Sequence, residues 1–173
     1  MKSKNKKIPT RQVMVGTVAV GGNAPLSVQS MTKTNTRDVS ATLDQINQLI
    51  EAGCDIVRVA VPDVSSVKAF GSIAASVSVP LVADIHFDHK LAIMALEEGA
   101  AKVRVNPGNL GGRSRLEQVA ARAAELNRAI RVGVNSGSIP GDILDSHGGV
   151  TPEAMVAAAV RYLTWLEEMH FKN

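Results

Sequence analysis

The chain has 173 residues, 45% hydrophobic, 20% charged and 3% aromatic, which is enough for a domain-sized core and too apolar for intrinsic disorder. No apolar run approaches the roughly 20 residues of a membrane-spanning helix, and Lys2, Lys4, Lys6 and Lys7 precede no apolar stretch of the kind a secretory signal needs. Those four lysines outweigh the formal net charge of +3, so the body is near neutral and neither a nucleic-acid surface nor a membrane is an expected partner.

Residues 1–10 are expected to form a basic disordered tail. Residues 11–24 follow as a short β-hairpin, because Arg11–Val20 reads as two strands around Gly16-Thr17. Residues 25–173 then repeat one pattern, a β-branched run, a polar loop and a helical stretch. The runs are Pro25–Met31, Ile56–Pro62, Pro80–His86, Lys102–Gly108 and Ile130–Ser138. The markers Arg58, Asp84, Arg104 and Arg131 are spaced by 26, 20 and 27 residues, close to the roughly 30 per βα unit of an eight-fold barrel of about 250 residues. Between the runs, a helix over Val39–Glu51 stops at Gly53 and another over Lys90–Glu98 stops at Gly99, both glycines suited to a left-handed cap. Further helices are predicted over Arg113–Arg128 and from Thr151-Pro152 to about Phe171, the latter with an N-cap and a first-turn proline. Tyr162 and Trp165 on that last helix read as packing.

Strand alternating with helix means a parallel sheet, and side-chain parity separates the two ways of covering one. Val57/Val59/Val61, Val103/Val105 and Ile130/Val132/Val134 share one face, suited to lie under helices. The other face carries Arg58, Asp84, His86, Arg104, Asn106, Arg131 and Asn135. An open sheet with helices on both sides should be apolar on both faces. A face polar in strand after strand fits the inside of a barrel, so the fold is α/β, five βα units of a (β/α)8 barrel of the TIM type preceded by a hairpin that caps its N-terminal end. Five strands leave the barrel incomplete with two open edges, and the chain is expected to be the front part of a larger protein.

Val57-Arg58-Val59, Val103-Arg104-Val105 and Ile130-Arg131-Val132 place three guanidiniums on the inward face with one counter-ion, Asp84. A ligand with several anionic oxygens would compensate them; the alternative is pairing with acids on further strands. The glycine- and asparagine-rich loop Asn106–Gly112 and the loop Asn135–Ser138 could cradle phosphate or be ordinary βα turns. Asp84, His86, Asp88 and His89 have the density of a metal site, yet the first strand offers no further ligand, and no metal is expected; His86 is read as an acid or as a donor to the ligand. Cys54, the sole cysteine, suits a reducing, cytoplasmic compartment and reads as packing.

Val28–Thr32, Asp55–Val59, Val82–Asp88, Arg104–Asn109 and Arg131–Ser138 together resemble the N-terminal barrel of the 4-hydroxy-3-methylbut-2-enyl diphosphate synthases, flavodoxin or ferredoxin type. The resemblance runs from about Arg11 to the end of the chain. It implies an oxidoreductase of the methylerythritol phosphate route to isoprenoids. The implied reaction opens the ring of 2-C-methyl-D-erythritol 2,4-cyclodiphosphate with two electrons and removes a hydroxyl as water. By motif, Arg58, Arg104 and Arg131 would grip the diphosphate, with Asp84, His86, Asn106 and Asn135 completing the pocket. The resemblance further implies a [4Fe-4S] cluster on a C-terminal domain, flavodoxin or ferredoxin as electron donor, and a homodimer of the full-length protein. No cluster-ligand set is found in these residues and that domain is expected to be absent, so the isolated chain is expected to bind substrate weakly without turning it over. Two other readings are a self-associating half-barrel that binds a phosphorylated metabolite without catalysis, and a pterin-type transferase, which the three arginines disfavour.

Overall fold

The computed structural model describes residues 10–173; the expected basic tail, apart from Thr10, lies outside them. Strands β1 (Val13–Val15) and β2 (Val18–Val20) pair antiparallel with Val15 opposite Val18, around the predicted Gly16-Thr17 turn. Gly16 turns with φ +58, and a Cβ there would sit 3.1 Å from the Pro80 ring, so the turn needs both its left-handed backbone and its missing side chain.

The repeating part follows as β3 (Gln29–Met31), α1 (Val39–Glu51), β4 (Ile56–Ala60), α2 (Val64–Ser76), β5 (Leu81–Ile85), α3 (His89–Glu97) and β6 (Lys102–Val105). It continues with α4 (Pro107–Leu110), α5 (Arg113–Glu125), β7 (Ala129–Val132), a 3-10 turn over Ser136–Ser138, α6 (Gly141–Ser146) and α7 (Pro152–Glu168). The five strands β3 to β7 are parallel and lie in chain order. A doubly wound sheet reverses its strand order at a switch point; this one never does, which is the topology of a barrel wall. The sheet is incomplete as a barrel, as expected.

The parity reading holds in space. Val57, Val59, Val61, Val103 and Val105 are fully buried against the helices, in one core with Ile46, Phe70, Leu96 and Leu116. The opposite face is closed at its N-terminal end by a second cluster in which Val15 of the hairpin meets Ile56, Val82, Ala101 and Ala129. The hairpin therefore plugs the bottom of the inward face and leaves the C-terminal end to the polar residues.

Boundaries differ at particular places. The first run shortens to β3, with Leu26 fully exposed beside it. The fifth run breaks after Val132, and residues predicted as its end form the 3-10 turn. Helices α5 and α7 stop three residues earlier than predicted, at Glu125 and Glu168. Helix α2, for which the residue pattern sets no bounds, is capped by Asp63 and buries Val67, Phe70 and Ile73.

Candidate functional site

The strand register assembles the charged residues. Asp84 on β5 stands opposite Arg104 on β6, which stands opposite Arg131 on β7. Arg58 on β4 lies one row lower, opposite Val82. Asp84, 3% exposed, is the shared partner. Its Oδ1 lies 3.4 Å from Nη1 of Arg104, and its Oδ2 lies 3.6 Å from both Nε of Arg58 and Nε2 of His86. Nε of Arg58 also donates to Sδ of Met31 at 3.1 Å, a weak acceptor that neutralises no charge. Arg131 is exposed and makes no ion pair among the described residues. One carboxylate thus serves two guanidiniums and an imidazole, a third guanidinium on the same face has no carboxylate among the described residues, and positive charge is in surplus there.

Two residues absent from the sequence-based set belong to this face. Lys102, inward on β6 two positions before Arg104, is half-buried. Burial first, then repulsion from Arg131 and Arg58, holds its ammonium below the ordinary lysine value. The parity that singles out Arg104 points equally to Lys102. Gly133, next along β7 on the inward parity, is where the Arg104 guanidinium lies; a Cβ there would collide with its Nε, Cζ and Nη2. A glycine at a strand end is itself a sign of such close approach.

The two loops are joined to each other. Fully buried Asn106 accepts at Oδ1 from the Gly108 N–H at 3.2 Å, capping α4, and donates from Nδ2 to Oγ of Ser138 at 2.6 Å. Ser138 Oγ donates in turn to the Asn135 carbonyl at 3.1 Å. Gly108 permits this approach, since a Cβ there would meet the Ser138 carbonyl and, at 2.8 Å, the Tyr162 Oη. Tyr162 is buried beneath, 5.4 Å from the Trp165 ring, and burial pushes its phenol pKa up. Asn106 therefore positions the loops with its amide, while Asn135 stands exposed at the mouth. On the other side, the segment after β3 is tied down by Thr36, whose Oγ1 donates to the Ala60 carbonyl at 2.6 Å, and by an Arg37–Asp63 ion pair. Hydrogen bonds from Arg37 and then from the Ser66 N–H lower the Asp63 carboxyl to about 2.

The Asp84–His89 segment disperses rather than converging. Asp84 is held by arginines, Asp88 caps α3 through the Lys90 N–H at 2.9 Å, and buried His89 faces Asp88 at 3.5 Å. Among the described residues, no three His, Cys, Asp or Glu side chains form a group that could hold a metal. Cys54 packs half-buried against the helix–sheet core on the turn that enters β4. One thiolate does not fit the four-ligand requirement of a [4Fe-4S] cluster. A cleft of about 550 Å³ between β7 and α7 is lined by Ile130, Val132 and Leu163 and lies apart from the arginines. Those arginines sit on the inward face of the five-stranded sheet. No helix among the described residues is long and apolar enough to cross a membrane.

Residues 10–173 match the family described as the GcpE TIM-barrel domain. The chain is 53% identical over 162 residues to the 4-hydroxy-3-methylbut-2-en-1-yl diphosphate synthase (flavodoxin) of Nitratidesulfovibrio vulgaris, covering 94% of this chain and 42% of that protein. It is 52% identical over 165 residues to the enzyme of the same name from Geobacter sulfurreducens, covering 95% of this chain and 47% of the relative. For the Ruminiclostridium cellulolyticum relative the identity is 49% over 168 residues, covering 97% and 48%. The chain thus spans about half the length of the curated relatives it matches. Among solved structures, the 7,8-dihydropteroate synthase of Vibrio fischeri superposes with TM-score 0.53 at 12% identity, over 87% of this chain and 62% of that one. The dihydropteroate synthase of Xanthomonas albilineans gives 0.52 at 14%, over 86% and 59%. At such identities the likeness carries the barrel fold and nothing of the pterin chemistry.

Proposed function

The chain belongs to the GcpE TIM-barrel domain family, and from that premise we propose that it is the substrate-binding part of a 4-hydroxy-3-methylbut-2-enyl diphosphate synthase. Its ligand on this reading is 2-C-methyl-D-erythritol 2,4-cyclodiphosphate, and the reaction belongs to the methylerythritol phosphate route to isoprenoids. The observation that carries the reading is the charge imbalance: Arg58 and Arg104 share one buried carboxylate, and Arg131 has none among the described residues. Guanidinium forks bind phosphate oxygens bidentately, so a cyclic diphosphate supplies the missing negative charge and the geometry to use it.

In this proposal Arg104 and Arg131, adjacent across β6 and β7, take the diphosphate, and Arg58 reaches it from the row below. Asp84 keeps the guanidiniums apart and aimed, and His86, half-exposed beside it, is the donor or acid nearest the ligand. Asn135 meets the ligand at the rim, while Asn106 holds the loop that frames it. Electrons from flavodoxin or ferredoxin would open the ring and release a hydroxyl as water in the full-length homodimer. No step of that transfer is assigned to these residues, because their donor set does not hold a cluster. We take residues 11–24 as the plug, residues 25–173 as the binding half-barrel and the cytoplasm as its compartment.

Calorimetric titration of the 173-residue chain with the cyclic diphosphate tests the reading. Expected are binding that weakens with salt, its loss in Arg104→Met and Arg131→Met, and no reductase activity with reduced flavodoxin. Absence of binding, or equal binding by the variants, sinks the proposal. A non-catalytic, self-associating half-barrel is the second reading, favoured by the exposure of Leu26 and Val28 beside one outer strand and of Val156, Val160 and Leu163 on α7.

A further inference from the structure

Lys102 is not used by the site as read above. It lies in the row Arg58–Val82–Lys102–Ala129, immediately below Asp84–Arg104–Arg131. Its lateral neighbours Val82 and Ala129 belong to the apolar cluster that the hairpin seals with Val15. An ammonium at that level has lost water on one side and gained no counter-ion: among the described residues Lys102 makes no ion pair and no side-chain hydrogen bond. The charged groups around it are Arg58 from β4, Asp84 from β5 with His86 just past its end, Arg104 from its own strand and Arg131 from β7. The β3 residues Gln29 and Met31 are uncharged, and the hairpin contributes valines. Asp84, the one acid, is already engaged by Arg58, Arg104 and His86.

We infer that Lys102 is the floor cation of the anion site, meeting the charge of a doubly phosphorylated ligand from below while the arginines hold it at the mouth, so that affinity depends on the lysine's protonation. The step from Lys102 to Arg104 along the strand is about 6.6 Å, within reach of an extended lysine side chain. The inference rests on the anion-site reading. The physical consequence is a proton linkage. In the free chain, burial and the neighbouring guanidiniums oppose the ammonium. A dianionic ligand seated among the same guanidiniums reverses the sign of that field and draws the proton back.

The test is calorimetry with 2-C-methyl-D-erythritol 2,4-cyclodiphosphate, whose ionised diester-type phosphates do not titrate, from about pH 6 to about pH 10. The wild-type chain is expected to lose affinity as pH rises and to take up a proton on alkaline binding, read as a buffer-dependent heat. Lys102→Met is expected to bind about tenfold more weakly at neutral pH and to show neither effect. Lys102→Arg should restore the affinity without the pH dependence, because a guanidinium stays charged throughout. Thermal melts establish that each variant is folded, and the wild-type proton uptake tests the linkage without any variant. Wild-type affinity and slope in Lys102→Met, with binding lost in Arg104→Met, would overturn the role of Lys102 alone. No binding by the wild-type chain at any pH would overturn the anion site and this inference together.

Discussion

Asp84 faces two guanidiniums and an imidazole at 3.4 to 3.6 Å, and this crowding makes the residues around it sensitive to small changes. Gly133→Ala places a methyl group where the Arg104 guanidinium lies. The obstacle meets the far end of a flexible side chain, so the chain should fold normally while Arg104 moves away. The expected result is a loss of cyclic-diphosphate affinity of about tenfold with an unfolding midpoint within about 2 °C of wild type; unchanged affinity would show that Arg104 need not lie over Gly133. Lys102 has the opposite balance, since removing it should stabilise the ligand-free fold. Its native pKa lies below the ordinary 10.5, so between the two values the unfolded chain binds more protons. The stability cost is therefore full below the lowered pKa and fades as pH rises towards 10.5. Lys102→Met should raise the urea midpoint at neutral pH, with the gain shrinking at alkaline pH; a gain that grows with pH contradicts the assignment.

At the scale of elements, four helices end in one arrangement, and the residue at its left-handed position explains which ends were legible. Gly53 and Gly99 have φ +90 and +99, and the N–H groups of Cys54 and Ala100 reach back to the carbonyls of Leu49 and Ala95. Asn127 and His170 have φ +52 and +57 and make the same returns, from Arg128 to Ala123 and from Phe171 to Leu166. Glycine announces such a cap because it enters that region most freely; Asn127 is a weaker sign and His170 none, so α5 and α7 read too long. A strain follows for His170, where a Cβ opposes the conformation. His170→Gly should stabilise the chain by about 0.5–1 kcal/mol and Gly99→Ala should destabilise it by about 1 kcal/mol, both measurable by urea unfolding. No change in the unfolding midpoint from either substitution would mean that the caps carry little strain.

The whole molecule is a parallel sheet in chain order with β3 and β7 as its outer strands. The Ile130 N–H on β7 donates to the Asn173 carbonyl at 2.8 Å, and exposed Leu26, Val28, Val156 and Leu163 accompany the outer elements. Unpaired strand edges with apolar neighbours favour association, so light scattering should show the apparent mass of the chain rising with concentration; a monomer across the range to about 100 μM would contradict this. The alternation of runs and helices, the hairpin and the inward parity of the arginines were all readable from residue order, because period-two patterning and turn chemistry are local properties. How far one strand slides against the next is not local. That offset puts Arg104 beside Asp84, sets Arg58 a row lower, and turns Lys102 from a strand residue into a cation beneath the site. The contacts of Arg104 with Gly133 and of Asn106 with Ser138 are likewise made between segments about 30 residues apart. Residue types and their spacing told which groups face inward, and the proposed anion site is built on their charge. The packing of neighbouring strands and loops, a matter of long-range registry and side-chain volume, settled which of those groups meet.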